Sequence, residues 1–257
     1  MRDRPDYDRY RDFSESRGPL AESFARQILA TTATRLTKPV ADCDVLDVGS
    51  GYGGTALALA QQCRSVVGLE PAEHLHRTAV QNGAQAPGAH VTFVLGGVEQ
   101  LTDTEAYDLV VLDNVYEHLP DHDQALTAVA RALRPGGVLY LLVPNKLWPI
   151  EAHYGLPFLS WLPLTWANRY LRLARKGTSY EDASFAPTYG QLRRALRRQT
   201  DLTFEFALPG DPAATVAGSP WHYRMGMSLL RRFPALWVIS KALLVVAVKR
   251  GPGTSAG

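Results

Sequence analysis

Two groups of residues in this 257-residue chain have the types and spacing for chemistry. The first is VLDVGSGYGG, Val45 to Gly54. Its Gly49, Gly51 and Gly54 spell the G-x-G-x-x-G of a dinucleotide-binding turn, whereas Gly49, Gly51 and Gly53 spell G-x-G-x-G behind an acid. The second group is a pair of histidine-bearing stretches, Tyr116-Glu117-His118 and Glu151-Ala152-His153-Tyr154. Histidine is the side chain best suited to take a proton near neutral pH. The loop would hold a nucleotide-like cofactor, with His118, His153 and Tyr154 as candidate catalytic groups beside it and His222 as a further candidate base.

Elements must bring these groups together. From Asp44 to Asn145, short apolar runs alternate with helix-period segments, the pattern of a parallel sheet with crossover helices. The runs DVLDVG, SVVGLE, HVTFVL, YDLVVLD and GVLYLLVP predict five strands. GGTALALAQQ, PAEHLHRTAVQN and DHDQALTAVARALRPGG predict the helices between them, the last ending at Arg134-Pro135-Gly136-Gly137. LTFEFAL and ALLVVAV predict two late strands that pair antiparallel at the sheet edge. The expected fold is α/β: a Rossmann-like, doubly wound, mostly parallel seven-stranded sheet with an antiparallel final strand and lid insertions. Residues 1–39 are expected as an N-terminal helical segment, with Leu20, Phe24, Ile28 and Leu29 on one face. Residues 40–257 are expected as the main domain, with lids at about 146–186 and 209–240; DYDRYRDF, near the N-terminus, is expected loosely ordered.

The cofactor is then decided by one carboxylate. Glu70 closes the second strand 19 positions after Gly51, where either cofactor type would use it for ribose hydroxyls. Asp47, two residues before Gly49, discriminates. A pyrophosphate there would meet a like charge, whereas the sulfonium and ammonium of S-adenosyl-L-methionine suit it. Together, VLDVGSGYGG, VVGLEP, YDLVVLDNVYEHLPD and LRPGGVLYLLVPN resemble a class I S-adenosylmethionine-dependent methyltransferase over about residues 40–145, and especially its ubiquinone-type O-methyltransferases.

The resemblance implies roles. Asp47, Gly49, Ser50 and Gly51 would line the methionine end, Glu70 would hold the ribose and Pro71 would border the adenine. Gly97, Val98 and Glu99 fall at the adenine edge, with Gly97 replacing an acid usual in such enzymes. Asn114, Val115 and Glu117 would lie beside the methionine moiety and the methyl group. In the ubiquinone-type enzymes, an acid three residues before the Glu-His pair helps bind a divalent metal. Here that position is Asn114, so no metal site is expected.

The acceptor is expected in the stretch after Asn145. That stretch is too long and too rich in aromatics for a simple connection. Leu147, Trp148, Phe158, Trp161, Leu162 and Trp166 predict an apolar pocket, and Glu151 is placed to orient His153. Net charge is +2, but residues 1–150 carry 13 Lys/Arg against 19 Asp/Glu and residues 151–257 carry 14 against 6. Arg169, Arg172, Arg175 and Lys176, with Arg193, Arg194, Arg197 and Arg198, fit a small-molecule acceptor with an anionic end, or transient contact with a membrane surface. The fourth strand runs into DNVYEH, which lacks the Asn/Asp-Pro-Pro-aromatic pattern of base-amino methylases and argues against a nucleic-acid acceptor. Asp47 argues against a nicotinamide oxidoreductase. Cys43 and Cys63 have neither metal nor redox spacing, and the Met1 end has no apolar leader; both place the expected location in the cytoplasm.

Overall fold

The structure is a computed structural model and describes residues 20–86, 88–210 and 221–251, without the side chain of His222. DYDRYRDF and part of the second expected lid fall outside the described residues. A seven-stranded sheet forms the centre. Its strands are β1 (Asp44–Val48), β2 (Ser65–Glu70), β3 (Val91–Leu95), β4 (Tyr107–Asp113), β5 (Leu133–Pro144), β6 (Leu202–Phe206) and β7 (Ala242–Lys249). The spatial order is β3-β2-β1-β4-β5-β7-β6, with β7 the antiparallel member between β5 and β6. The central strands are near-continuous apolar runs because helices cover both faces, leaving no solvated side to favour alternation.

One face packs on α1 (Ala21–Thr32) and α2 (Gly54–Ala60), through Ala25, Ile28, Leu29, Ala56 and Leu59. On the other face, α4 (His122–Ala132) and α6 (Tyr189–Arg198) bury Leu126, Val129, Leu192 and Leu196. Helix α3 (Glu73–Ala84) covers β2 and β3. Helix α6 starts on a capping box, where Thr188 accepts from the Gln191 N–H and Gln191 returns the bond to Thr188. Such a cap contributes about 1 kcal/mol.

Two local expectations are corrected. Leu20 is half exposed and precedes α1, so the buried face begins at Ala25. The helix before β5 stops at Ala132, not at Gly136-Gly137. Pro135 disfavours helical backbone at Arg134, and Leu133 already pairs with Tyr107 across a register shift in the β4–β5 ladder.

Parallel strands in this order leave a crevice beyond the C-terminal ends of β1 and β4, where the strand order reverses. The opposite end is held by buried Asp108, which accepts from the Asp44 N–H (2.8 Å) and pairs with Arg134 (2.7 Å) and Lys38 (2.9 Å). Between β5 and α6 the chain runs through a turn at Leu159–Trp161, helix α5 (Leu164–Leu173) and a turn at Glu181–Ala183. This segment has its own small core of Leu159, Ala167, Leu171, Tyr180 and Ala183. Helix α7 (Trp221–Arg232) and a turn at Pro234–Ile239 precede β7. Buried Asn145, at the end of β5, donates to the carbonyls of Val238 and Ser240, both at 3.0 Å, and fastens the start of one excursion to the end of the other. Among the described residues no helix is long and apolar enough to cross a membrane. Cys43 and Cys63 are free and buried, and burial pushes the Cys63 thiol up to about 12.

Candidate active site

The glycine loop leaves β1 in left-handed backbone, with φ of +70° at Gly49 and +57° at Gly51. Gly49 also has no room for a side chain, since a Cβ there would lie 2.5 Å from Val115 Cγ2. The loop is tied to β2. Gly49 and Ser50 donate to the Leu69 carbonyl at 2.7 and 3.1 Å. Glu70, 2% exposed, accepts from the Gly51 N–H through Oε2 and from the Ala72 N–H through Oε1, both at 2.9 Å. Its carboxylate therefore shapes the loop, a role the sequence reading did not assign. With about four lone-pair sites, it retains acceptor capacity for hydroxyls. Asp47, in the last turn of the pleat before the loop, is buried.

A cavity of about 310 Å³ opens in front of these groups. Of the sequence candidates, Gly49, Glu70, Pro71, Gly97, Val98, Glu99, Val115 and His118 line it. Asp47, Ser50, Gly51, Asn114, Glu117, His153 and Tyr154 are not among its lining residues, and His153 instead borders a separate small pocket with Asn145 and Glu151. Leu119, Pro120 and Gln124 are among the remaining wall residues and were missed by the sequence reading. They follow directly on the YEH stretch at the exit of β4, the only signal they carry. Glu99 folds back over Gly97, where an added Cβ would collide with its carboxylate.

The structure brings His118 and His153 together, although 35 positions separate them. Their rings meet edge to face with centroids 5.2 Å apart, against the fully buried carboxylate of Glu117. Nε2 of His118 and Nε2 of His153 lie 3.9 and 3.8 Å from Glu117 Oε1. Each Nδ1 is engaged from behind, His118 by the Asp182 carbonyl and His153 by Glu151 Oε1, both at 2.8 Å. Carbonyl and carboxylate can only accept, so each Nδ1 is the donor in its bond. Buried Glu151 also accepts the backbone N–H groups of His153 (2.7 Å) and Tyr154 (2.6 Å), so one carboxylate fixes both the ring and its loop. Burial pulls the His153 imidazole toward its neutral form. The Glu151 hydrogen bond and the charges of Glu151 and Glu117 outweigh it, and the pKa is raised.

The remaining candidates sit less centrally. The Tyr154 hydroxyl donates to the Ser179 carbonyl at 3.0 Å, and its ring packs edge to face on Tyr180. Asn114 has φ +56° and turns its amide onto Asp113 Oδ1 at 2.7 Å. The aromatic residues expected to form an apolar pocket are largely on the outside: Phe158, Trp161 and Trp166 are 50, 51 and 61% exposed. The segment's small core uses Leu159, Ala167 and Leu171 instead, which turns the larger rings outward. Of the basic residues, Arg194, Arg198 and Lys146 border a second cavity of about 380 Å³ beside α6, with Arg198 also paired to Asp123 at 2.6 Å. Arg169 lies 6.0 Å over the Trp166 ring.

This strand order, with a glycine loop after β1 and an acid closing β2, defines a class I methyltransferase fold. Residues 46–141 match the family described as "Methyltransferase domain". A ubiquinone biosynthesis O-methyltransferase of Rhizobium rhizogenes is 33% identical over 142 residues, covering 54% of this chain and 56% of the relative. One from Bordetella avium is 32% identical over 140 residues, covering 53% and 54%. The chain thus spans about half the length of the curated relatives it matches. Among solved structures, a plantazolicin methyltransferase in complex with a triazolic analogue and SAH superposes with a TM-score of 0.63 at 15% identity, covering 97% of this chain and 92% of that one. A putative S-adenosyl-L-methionine-dependent methyltransferase of Methanococcus maripaludis gives 0.56 at 17%, covering 95% and 94%. At these identities the structural matches speak to the fold.

Proposed function

We propose that this chain transfers the methyl group of S-adenosyl-L-methionine to an oxygen of a small-molecule acceptor, in the cytoplasm. The observation that carries the reading is the shared crevice. Gly49 and Glu70 line it on the glycine-loop side and His118 on the other, with Glu117 and His153 packed against His118. Asp47, Gly49, Ser50 and Gly51 would take the cationic methionine end and Glu70 the ribose hydroxyls. Pro71, the Val98 backbone and Gly97 would border the adenine. The folded-back Glu99 would offer the acceptor that position 97 lacks. Asn114, Val115 and Glu117 would flank the sulfonium.

The donor is already activated, so alignment of oxygen, methyl and sulfur supplies most of the acceleration. A hydroxyl acceptor must also lose its proton, and His153 is the group we assign to that loss, oriented by Glu151. In this reading His118 borders the same space, and Tyr154 shapes it through its bond to Ser179. Residues 146–186 act as a lid carrying His153 to the methyl, on a main domain that begins near residue 40. An acceptor with an anionic end would extend toward Lys146 and Arg194. The His153→Ala enzyme should keep its affinity for S-adenosylhomocysteine yet turn over at least about tenfold more slowly. Unchanged turnover would remove His153 from the chemistry.

A further inference from the structure

We infer that the cavity of about 380 Å³ beside α6 binds the dianionic phosphate of a phosphate monoester, and that the methyl acceptor is a phosphorylated small molecule held there by that group. Three cations on two separate elements border it: Arg194 and Arg198, one turn apart on α6, and Lys146, just beyond β5. Among the described residues no acid lines it. Asp123 offsets Arg198, accepting from its Nη2 at 2.6 Å and its Nε at 3.1 Å on one carboxylate oxygen. Lys146 and Arg194 have no carboxylate partner among the described residues. Two positive charges therefore remain, and a phosphate monoester carries about −1.5 to −2 near neutral pH. A single arginine fork satisfies a carboxylate, whereas three cationic donors on different walls suit the three terminal oxygens of a phosphate.

The walls are set by bonds of their own. Lys146 donates its backbone N–H to the Pro187 carbonyl at 3.1 Å, and its carbonyl accepts from Ser160 Oγ at 3.0 Å. Gln191 turns its amide oxygen to the Thr188 N–H at 2.8 Å, which leaves its amide N–H groups as further donors in the cavity wall. His122 stacks on Tyr116 with ring centroids 4.0 Å apart, and its Nε2 donates to the Tyr116 carbonyl at 3.0 Å. Phe185 and Pro187 give an apolar side for the organic part of the ester. Lys146 and Ala186 also line the small pocket that holds His153 and Glu151, so the two spaces adjoin. A phosphate fixed by Lys146 and Arg194 would leave the rest of the acceptor beside the histidine assigned to its proton. The inference rests on the proposed reading and deepens it by naming the acceptor's chemical class.

The first test is binding. Full-length protein saturated with S-adenosylhomocysteine, so that the cofactor cavity is filled, is titrated calorimetrically with phenyl phosphate and with benzoate. Phenyl phosphate should bind at one equivalent with a Kd of about 1 mM or tighter, and benzoate at least about tenfold more weakly. Lys146→Gln and Arg194→Gln should each weaken phenyl phosphate at least about tenfold. Arg197→Gln removes a charge from the same helix away from the cavity and should cost less than about threefold. Thermal melts identify any variant that has lost its fold, and Arg194→Lys, which keeps the charge but not the fork, then carries the comparison with an expected loss of about three- to tenfold. No saturable binding, equal binding of benzoate, or affinity that survives these substitutions would overturn the site. The second test is transfer to dihydroxyphenylethanol and to its phosphate monoester. The ester should have at least about tenfold higher kcat/KM, an advantage that Arg194→Gln removes. Equal kcat/KM for the two would overturn the acceptor class while the proposed methyl transfer stood. Phosphate binding here with no methyl transferred to any small molecule would keep the anion site while the proposed function failed.

Discussion

Replacing Gly49 with alanine tests the glycine loop most sharply, because two separate costs act at that position. The backbone sits at φ +70°, where an L-residue with a Cβ is disfavoured by about 1–2 kcal/mol. The new Cβ would also stand 2.5 Å from Val115 Cγ2 and 3.2 Å from Cγ1, where carbon contacts settle at about 3.5–4.0 Å. Val115 must retreat by about 1 Å, and overpacking of this kind costs about 1–3 kcal/mol. The total, about 2–5 kcal/mol, should divide between folding stability and cofactor affinity, since Val115 lines the cavity. At roughly 2–4 °C per kcal/mol for a domain of this size, the melting temperature should fall by at most about 4–20 °C, the value if the whole cost falls on folding. Gly88→Ala isolates the backbone cost: φ there is +85° and nothing lies within 4 Å of the new Cβ. Adding Val115→Ala to Gly49→Ala should recover the steric part alone. The assays are thermal unfolding and calorimetric titration with S-adenosylhomocysteine. If Gly49→Ala proves no more damaging than Gly88→Ala and binds cofactor product as well as wild type, the close approach of Gly49 to Val115 is not what constrains the loop.

Other expectations follow from the same geometry. Glu70→Gln turns one acceptor oxygen into a donor facing a backbone N–H and removes the charge from the proposed ribose contact. Cofactor binding should weaken roughly 10–100-fold, and a loss under threefold would contradict the clamp. Asp44 is held well below the ordinary carboxylate range, first by its bond to Arg64 and then by Ser65 and Arg134, against an opposing effect of burial. A depressed folded-state pKa gives stability that is complete above the unfolded value of about 3.9 and is lost as pH falls through the folded one. Urea midpoints should therefore drop on acidification below about pH 5, less steeply in Asp44→Asn; identical slopes would exclude Asp44 as a contributor. Lys146→Ala with Arg194→Ala should raise KM for an anionic acceptor and flatten its salt dependence without changing cofactor affinity, and an unchanged KM would place the acceptor elsewhere.

The sheet was legible because DVLDV, SVVGLE and YDLVVLD are apolar on both faces, a signal that survives without tertiary context. The glycine loop and Glu70 were legible as a pattern, but Glu70's hold on the Gly51 N–H was not, since it depends on how the loop folds back over β2. The pairing of His153 with Glu151 was readable from their two-residue spacing. Its meeting with Glu117 was not, because that contact depends on how the 146–186 segment returns to the domain. The outward turn of Trp161 and Trp166 escaped for a related reason: composition marks a residue as apolar but not which neighbour claims the interior, and Leu159 and Leu171 did so. Gly97 shows the converse, where Glu99, two residues on, folds its carboxylate over the glycine in a way the linear pattern does not display.

The central claim is methyl transfer to a small-molecule oxygen, and it is tested most directly by following the methyl group itself. The full-length protein, incubated with S-adenosyl-L-methionine carrying a deuterated methyl and a small-molecule extract, would be analysed by mass spectrometry after separation into low-molecular-weight, protein and nucleic-acid fractions. The account predicts label in the low-molecular-weight fraction, bound to oxygen, and at least about tenfold less of it with His153→Ala. Label confined to protein or nucleic acid, or none at all from an enzyme that binds the cofactor, would contradict it.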